Sequence, residues 1–238
     1  MKVNTFIFII SSILFFSCAK KKIPDSSVLL GLDYYPTTIG KFVVYNVDST
    51  IYNSLTQTSV TTQYQIKEKI TENFIDNEGQ EALRLERFIK KFNPLKSYDS
   101  MPWMIKEVWM INATNKSIQV VEGNVRFTKL IFPIQQFANW NGNAKNTIGE
   151  WLYSYNYIDK SETIGTKVLD KVLLVKQKEN RTLISYQNYN EKYAKGIGLV
   201  YREITDVLSN NVIANVPVEG RIEDGIIYKQ TLVNYGYE

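Results

Sequence analysis

From Tyr34 to the end of the chain, apolar and polar residues alternate with a period of two, and helical periodicity is scarce. The clearest case is residues 60–70. Val60, Thr62, Tyr64, Ile66 and Ile70 share one parity there, and Thr61, Gln63, Gln65, Lys67 and Lys69 the other. Successive side chains of a strand point to opposite faces, so the pattern predicts a long strand with one buried and one wet face. Asp76-Asn77-Glu78-Gly79 is a turn sequence. Beyond it Leu83, Leu85 and Ile89 resume the pattern, separated by Arg84, Glu86 and Phe88, and the two runs read as a β-hairpin. Phe42–Tyr45 predicts an earlier strand. Val108–Ile111 and Ile118–Val121 flank Asn112–Ser117, and Gly123-Asn124 turns the second of these into Val125–Thr128. Trp151–Ile158, Val172–Val175, Leu199–Val207 and Ile226–Val233 bring the total to about ten strands. Val172–Val175 is apolar on both parities, as expected of a central strand covered on both faces. Short connections make nearly all pairings antiparallel. Helix is expected only at the Val28-Leu29-Leu30 patch, at Ile134–Asn139 and at Asn188–Ala194, so the fold class is all-β.

The N-terminus follows a different pattern. Met1-Lys2 precedes an eleven-residue apolar stretch, Phe6 to Phe16, interrupted only by Ser11 and Ser12 and followed by Ser17-Cys18. A membrane span needs about 20 apolar residues, so the stretch has the layout of a secretory signal with a small residue at the cut site. The small residue directly before a lone cysteine resembles the lipobox of bacterial lipoproteins, although Phe15-Phe16 stand where a Leu-Ala or Leu-Ser pair is usual. The resemblance implies cleavage before Cys18, diacylation of its thiol, palmitate among the acyl chains, and a membrane anchor that rests on that residue alone. Ala19 is not the aspartate that retains such proteins in the inner membrane, which implies the outer membrane or periplasmic envelope. Lys20-Lys21-Lys22 then either attracts anionic headgroups, at about 1 kcal/mol per lysine, or is a solvated spacer. The expected organisation is a signal peptide over 1–17, a lipidated cysteine and flexible tether over 18–33, and one antiparallel β domain over 34–238.

Composition narrows the chemistry. The 238 residues include no histidine and one cysteine. That excludes Ser-His-Asp and Cys-His dyads, the two-His-one-carboxylate iron site, HExxH zinc helices, Cys-rich metal sites and intramolecular disulfides. A formal charge of +4 gives no footprint for nucleic acid. The length suits one β domain and is ample for a core without staples.

Two further segments carry a resemblance. Tyr35-Pro36-Thr37-Thr38-Ile39-Gly40-Lys41-Phe42-Val43-Val44-Tyr45 and Tyr193-Ala194-Lys195-Gly196-Ile197-Gly198-Leu199-Val200-Tyr201-Arg202-Glu203 resemble paired signatures of uncharacterised Gram-negative envelope lipoproteins: Y-P-x-x-x-G-x-x-x-x-Y after the tether, and Y-A-x-G-x-G-L-V-x-x-E before the last strands. The resemblance implies a single curved antiparallel sheet or incomplete barrel, and it assigns no catalytic residue. Gly196 and Gly198 suit a bulge or sharp bend with positive φ, and Gly40 a turn into the first strand.

No G-x-S-x-G elbow or phosphate loop occurs, and the one S-x-x-K match, Ser17 to Lys20, spans the cleavage point. Asp76–Gly79 has the wrong glycine position for a calcium loop and reads as a turn. Asn139, Asn141 and Asn143 offer no carboxylate to a hard cation, and no metal or cofactor is expected. Carboxylate-pair hydrolysis needs only two acids facing one sugar, for which Glu107, Glu122, Glu150 and Glu203 are available, or merely solvated. The chain has 16 tyrosines. Trp151, Tyr153, Tyr155 and Tyr157 share one strand parity, as a stacking or cavity-lining row or as rings that stabilise the sheet. The loop Phe137–Ala144 places Trp140 among small amides, as a recognition surface or as a pin on the barrel.

Candidate ligand or partner contacts are therefore Trp140, Asn141, Asn143, Trp151, Tyr153 and Tyr155, with Cys18 as the lipidation site. Three functions follow in order of preference. The first is a membrane-anchored, non-catalytic binding or accessory module for an apolar ligand or a partner envelope protein. The second is a carbohydrate-binding component of a polysaccharide-processing assembly, and the third a carboxylate-dependent hydrolase. A large apolar cavity marks the ligand-carrier form of the first, exposed Trp140 and Trp151 rings the second, and two acids in a cleft the third.

Overall fold

The long hairpin read from residues 60–89 lies inside one twelve-stranded antiparallel sheet. The computed structural model describes residues 29–238, so the signal segment, Cys18, the lysine run and Val28 lie outside the described residues. The strands are β1 (Lys41–Asn53), β2 (Thr58–Ile75), β3 (Glu81–Lys91), β4 (Met104–Ala113), β5 (Ser117–Glu122), β6 (Val125–Ile131), β7 (Asn139–Asn141), β8 (Leu152–Ile164), β9 (Lys167–Arg181), β10 (Ser185–Ala194), β11 (Gly198–Leu208) and β12 (Asp224–Tyr237). Their order across the sheet is β6-β5-β4-β3-β2-β1-β12-β11-β10-β9-β8-β7, so consecutive strands pair throughout except β6 and β7, which form the two edges, and β1 pairs with β12. That one long-range pairing lets the sheet curl round until β6 and β7 face each other.

From Tyr64 on, inward residues follow the predicted parity, whereas Val60 and Thr62 at the start of that run are exposed. On β2 the inward set is Tyr64, Ile66, Glu68 and Ile70. Ile66 opposes Tyr45 and Ile89, and Ile70 opposes Leu85. Ile66 is fully buried, as are Val172, Leu173 and Val175 on β9, but Leu174 in that run is half-buried and β9 lies third from the β7 edge rather than centrally. The incomplete barrel is thus the observed architecture, with two strands more than the pattern suggested. The additions are β7 and β10, from segments read as loop and helix.

The two helix expectations downstream of Val28 are corrected. Asn188–Ala194 carries Tyr189 and Tyr193 at helical spacing, but Tyr189, Glu191 and Tyr193 are also one parity of a strand. Pairing with β9 on one side and β11 on the other satisfies its backbone. Residues 134–139 form an irregular crossing in which Ile134 N–H donates to Leu30 O (3.0 Å) and Phe137 N–H to Tyr155 O (3.0 Å), with Phe137 at φ 64°. Among the described residues, helical backbone is confined to Leu29-Leu30 and to 3-10 turns at Leu32–Tyr34, Tyr98–Ser100 and Val218–Gly220.

Residues 29–33 belong to the folded unit. Asp33 O accepts from Gly196 N–H at 2.8 Å, and the buried Tyr34 donates its hydroxyl to Asp159 Oδ1 at 2.8 Å. The chain therefore enters by plugging the barrel end at which β1 starts. Gly196 (φ 75°) and Gly198 (φ 99°) form the β10–β11 turn at that same end, a tighter connection than a bulge within a strand.

Candidate functional site

Closing a barrel without a continuous ladder between its edge strands β6 and β7 requires side chains to bridge the gap, and the loop around Trp140 supplies them. Trp140 Nε1 donates to Thr128 O (2.8 Å), Thr128 N–H donates to Gly142 O (2.9 Å), and Asn146 Nδ2 donates to Arg126 O (2.8 Å). The Tyr155 hydroxyl donates to Ile131 O (2.6 Å) and accepts from Ile131 N–H (2.8 Å). Asn141 Oδ1 accepts from the backbone of Asn143 (2.9 Å) and of Trp151 (3.3 Å), which shapes the loop from within.

The sequence-predicted contact residues are brought together here, as the seam of the barrel rather than as an exposed platform. Trp140, Tyr153, Tyr155 and Asn143 are buried, and the Trp140 ring packs at 5.8 Å and 4.7 Å from those of Tyr153 and Tyr155. Asn141 is half-buried. Trp151 is half-buried against Tyr189 (4.9 Å) beneath Lys178 (4.2 Å). Tyr157 leaves the row because β8 changes register between Tyr155 and Tyr157, and its hydroxyl turns to Glu162.

The barrel interior holds ions. Arg202 bonds Glu122 (2.9 Å) and Glu191 (2.8 Å), and Lys129 reaches the same two carboxylates at 2.8 Å and 3.0 Å. The Tyr193 hydroxyl donates to Glu191 Oε2 at 2.5 Å. A second group lies beside it. Arg87 donates to Glu68 (2.9 Å) and pairs with Glu107, while Tyr45 donates to Glu68 (3.3 Å). The Trp109 ring separates the two guanidinium groups, 3.7 Å from Arg87 Cζ and 5.6 Å from Arg202 Cζ. Such stacking is favoured for Arg over an indole in a desolvated place.

Burial would push the Glu122 carboxyl up, but Arg202 and Lys129 more than offset it and hold it at about 2. Glu191 is likewise driven up by burial and brought below the ordinary range by Lys129 and Arg202. Both acids are therefore ionised at neutral pH, which leaves neither with a proton to donate. Of the other acids considered, Glu107 pairs with Arg87, Glu150 is exposed, and Glu203 lies 3.8 Å from Lys229. Among the described residues no group of three His, Cys, Asp or Glu side chains is placed to hold a metal ion.

Little space remains inside. A void of about 20 Å³ lies among Tyr35, Glu68, Trp109, Glu122, Lys129 and Arg202, and one of about 40 Å³ lies nearer the entry plug, beside Pro36, Tyr45 and Ile197. These volumes suit single waters. The larger clefts are open and lie at the barrel's two ends. One of about 560 Å³ is bounded by Thr37, Phe74, Ile75 and Leu83, and one of about 590 Å³ by Tyr52, Gln57, Ser59 and Ile222. A third, of about 300 Å³, lies under the β3–β4 loop.

The interior ions were not singled out from sequence, apart from Glu107 and Glu122. Their signal is a charge standing at an apolar parity: Glu68 between Ile66 and Ile70, Arg87 between Leu85 and Ile89, and Glu191 between Tyr189 and Tyr193.

No protein-family model matches the chain, and neither does any curated protein. Among solved structures, it is similar to a Bacteroides fragilis protein described as exported, with a YmcC-like fold. Identity is 8%, the match covers 85% of this chain and 98% of that one, and the TM-score is 0.44. It is also similar to a Parabacteroides distasonis protein described as a lipoprotein, at 12% identity, 85% and 98% coverage and a TM-score of 0.38. Likeness at this level assigns neither activity nor location.

Proposed function

We propose that this chain is a non-catalytic accessory lipoprotein of the bacterial cell envelope, held to its membrane through Cys18, that engages its partner with the outside of the barrel. The observation that carries the surface-binding part is the filled interior. Cross-barrel ion pairs occupy the space an apolar ligand would need, leaving voids of about 20 and 40 Å³ against the roughly 300 Å³ and above of ordinary ligand pockets. The non-catalytic part is supported by the interior carboxylates Glu122 and Glu191, which are paired with Arg202 and Lys129 and carry no proton at neutral pH. The anchoring part is supported by the apolar stretch Phe6–Phe16 running into Ser17-Cys18.

Fractionation of a Gram-negative host tests the anchor. The wild-type chain partitions with membranes and takes up an alkyne-palmitate label, whereas Cys18→Ala does neither; retention of the variant in the membrane fraction overturns the anchor. Solvent extraction and mass spectrometry of the purified barrel test the filled interior. No stoichiometric apolar compound is expected, and recovery of one bound lipid per chain overturns surface-only binding.

A further inference from the structure

Twelve residues, 92–103, join β3 to β4 and fold back over the outer face of the sheet instead of making a tight turn. The connection is longer than the usual two to five or so residues of a β-hairpin loop and carries the 3-10 turn Tyr98–Ser100. It is ordered by its own bonds. Phe92 N–H donates to Gln63 O (3.2 Å), Asn93 Oδ1 accepts from Leu95 N–H (2.9 Å), and Lys90 Nζ donates to Tyr98 O (2.7 Å). The Trp103 ring lies 4.5 Å from Lys90 Nζ and 5.5 Å from Lys67 Nζ, pinning the loop to β2 and β3.

The cleft of about 300 Å³ beneath this loop is lined by three lysines, Lys90, Lys91 and Lys96, and by no carboxylate. Lys90 is 8% exposed and committed to the loop, while Lys91 and Lys96 are exposed and make no ion pair among the described residues. The remaining wall is apolar apart from Asn93, whose Oδ1 is taken up by Leu95 N–H: Phe92 (55% exposed), Met104 (50% exposed), Met101 and Pro102. Unpaired cations beside an exposed aromatic and aliphatic wall fit a ring with one apolar face and an anionic edge. The size matches the small end of ligand pockets, about 300 Å³.

We infer that this cleft binds a uronic-acid unit of an acidic polysaccharide, with the sugar carboxylate on Lys91 and Lys96 and the pyranose C–H face on Phe92. The inference deepens the surface-binding reading above and rests on it. The position argues for a polymer rather than for the anchoring bilayer. Lys91 ends β3 and Met104 begins β4, whereas the chain enters where β3 starts and β4 ends, one strand length away, about 35 Å for eleven residues.

The test uses the lipidated chain in nanodiscs of zwitterionic lipid, titrated calorimetrically with trigalacturonate. Binding is expected, with at least a tenfold loss of affinity in Lys91→Gln/Lys96→Gln and a comparable loss in Phe92→Ala. Both variants keep the wild-type thermal transition because the altered groups are exposed. Fully methyl-esterified trigalacturonate, which lacks the charge, does not bind. Absence of trigalacturonate binding, equal binding by the lysine variant, or equal binding of the methyl ester overturns the inference. So does tighter association with vesicles containing phosphatidylglycerol than with trigalacturonate, which assigns the lysines to a lipid headgroup. Loss of membrane partitioning in Cys18→Ala with glycan binding intact speaks to the anchor alone. Loss of glycan binding with the anchor intact speaks to this cleft alone.

Discussion

Arg202 on β11 and Glu122 on β5 meet at 2.9 Å inside the barrel although 80 positions separate them in sequence and five strands lie between theirs in the sheet. The pair is a cross-brace. It forms only when the sheet has curled far enough to bring its two halves face to face, and with Lys129 and Glu191 it replaces the apolar filling expected of a small barrel. Buried ion pairs add little net stability, but breaking one is costly because the survivor stays buried and unpaired.

Arg202→Met accordingly destabilises the chain by about 3–5 kcal/mol, measured by urea denaturation, because Glu122 and Glu191 then share Lys129 alone. Adding Glu122→Leu restores part of the loss by leaving a single Lys129–Glu191 pair. A double-mutant cycle with strictly additive effects contradicts the coupling.

The same acids set an acid limit. Glu122 and Glu191 are held below their ordinary values in the folded chain, with Glu122 at about 2. An acid depressed in the folded state contributes stability above its unfolded pKa, near 4.5, and loses it as pH falls through the folded value. Stability therefore declines from about pH 5 toward pH 2. In Glu122→Gln the decline is shallower, and an unchanged slope in urea midpoints across that window contradicts the assignment.

At the seam, Tyr155→Phe removes a hydroxyl that both donates to and accepts from Ile131. The change leaves a backbone N–H and C=O short of partners, at a cost of about 1–3 kcal/mol. Hydrogen exchange at Ile131 accelerates by more than at any β2 amide, because the seam opens without disturbing the sheet centre.

Gly142 sits against the Tyr153 ring so closely that an added Cβ lies 2.3 Å from Cζ, backed by the Trp140 ring. Gly142→Ala is expected to cost about 3 kcal/mol, the upper end of ordinary overpacking. Gly123→Ala, with no atom within 4 Å of its added Cβ and φ 54°, costs only the left-handed backbone strain of about 1–2 kcal/mol. Thermal melts of the two variants check the difference.

The residues of β2 and β3 show why much of the fold was legible. Ile66, Ile70, Leu83 and Leu85 lie on the buried face that their alternation requires, and Asp76–Gly79 turns between them, with Asp76 Oδ1 accepting from Glu78 and Gln80 N–H at 2.9 Å each. The loop at Trp140 shows the limit. Its composition fits a recognition loop and a barrel seam equally, and the choice depends on where Thr128 and Arg126 of a different strand arrive. Asn188–Ala194 is a similar case, because Tyr189 and Tyr193, four apart, fall on one face of a helix and on one face of a strand alike.

By itself the sequence determined what is local: the period of two, the turns, the all-β class, the exclusion of imidazole and thiol chemistry from the barrel, and the N-terminal pattern ending at Cys18. The tertiary structure decided what depends on chain positions that meet only after the sheet curls. It placed Trp140, Tyr153 and Tyr155 in the wall, joined Glu68, Arg87, Glu191 and Arg202 as interior braces, and gathered Lys90, Lys91 and Lys96 around one cleft. The physical reason is that alternation reports which face of a strand a residue takes, whereas the partner it meets on that face is set by the closure of the barrel.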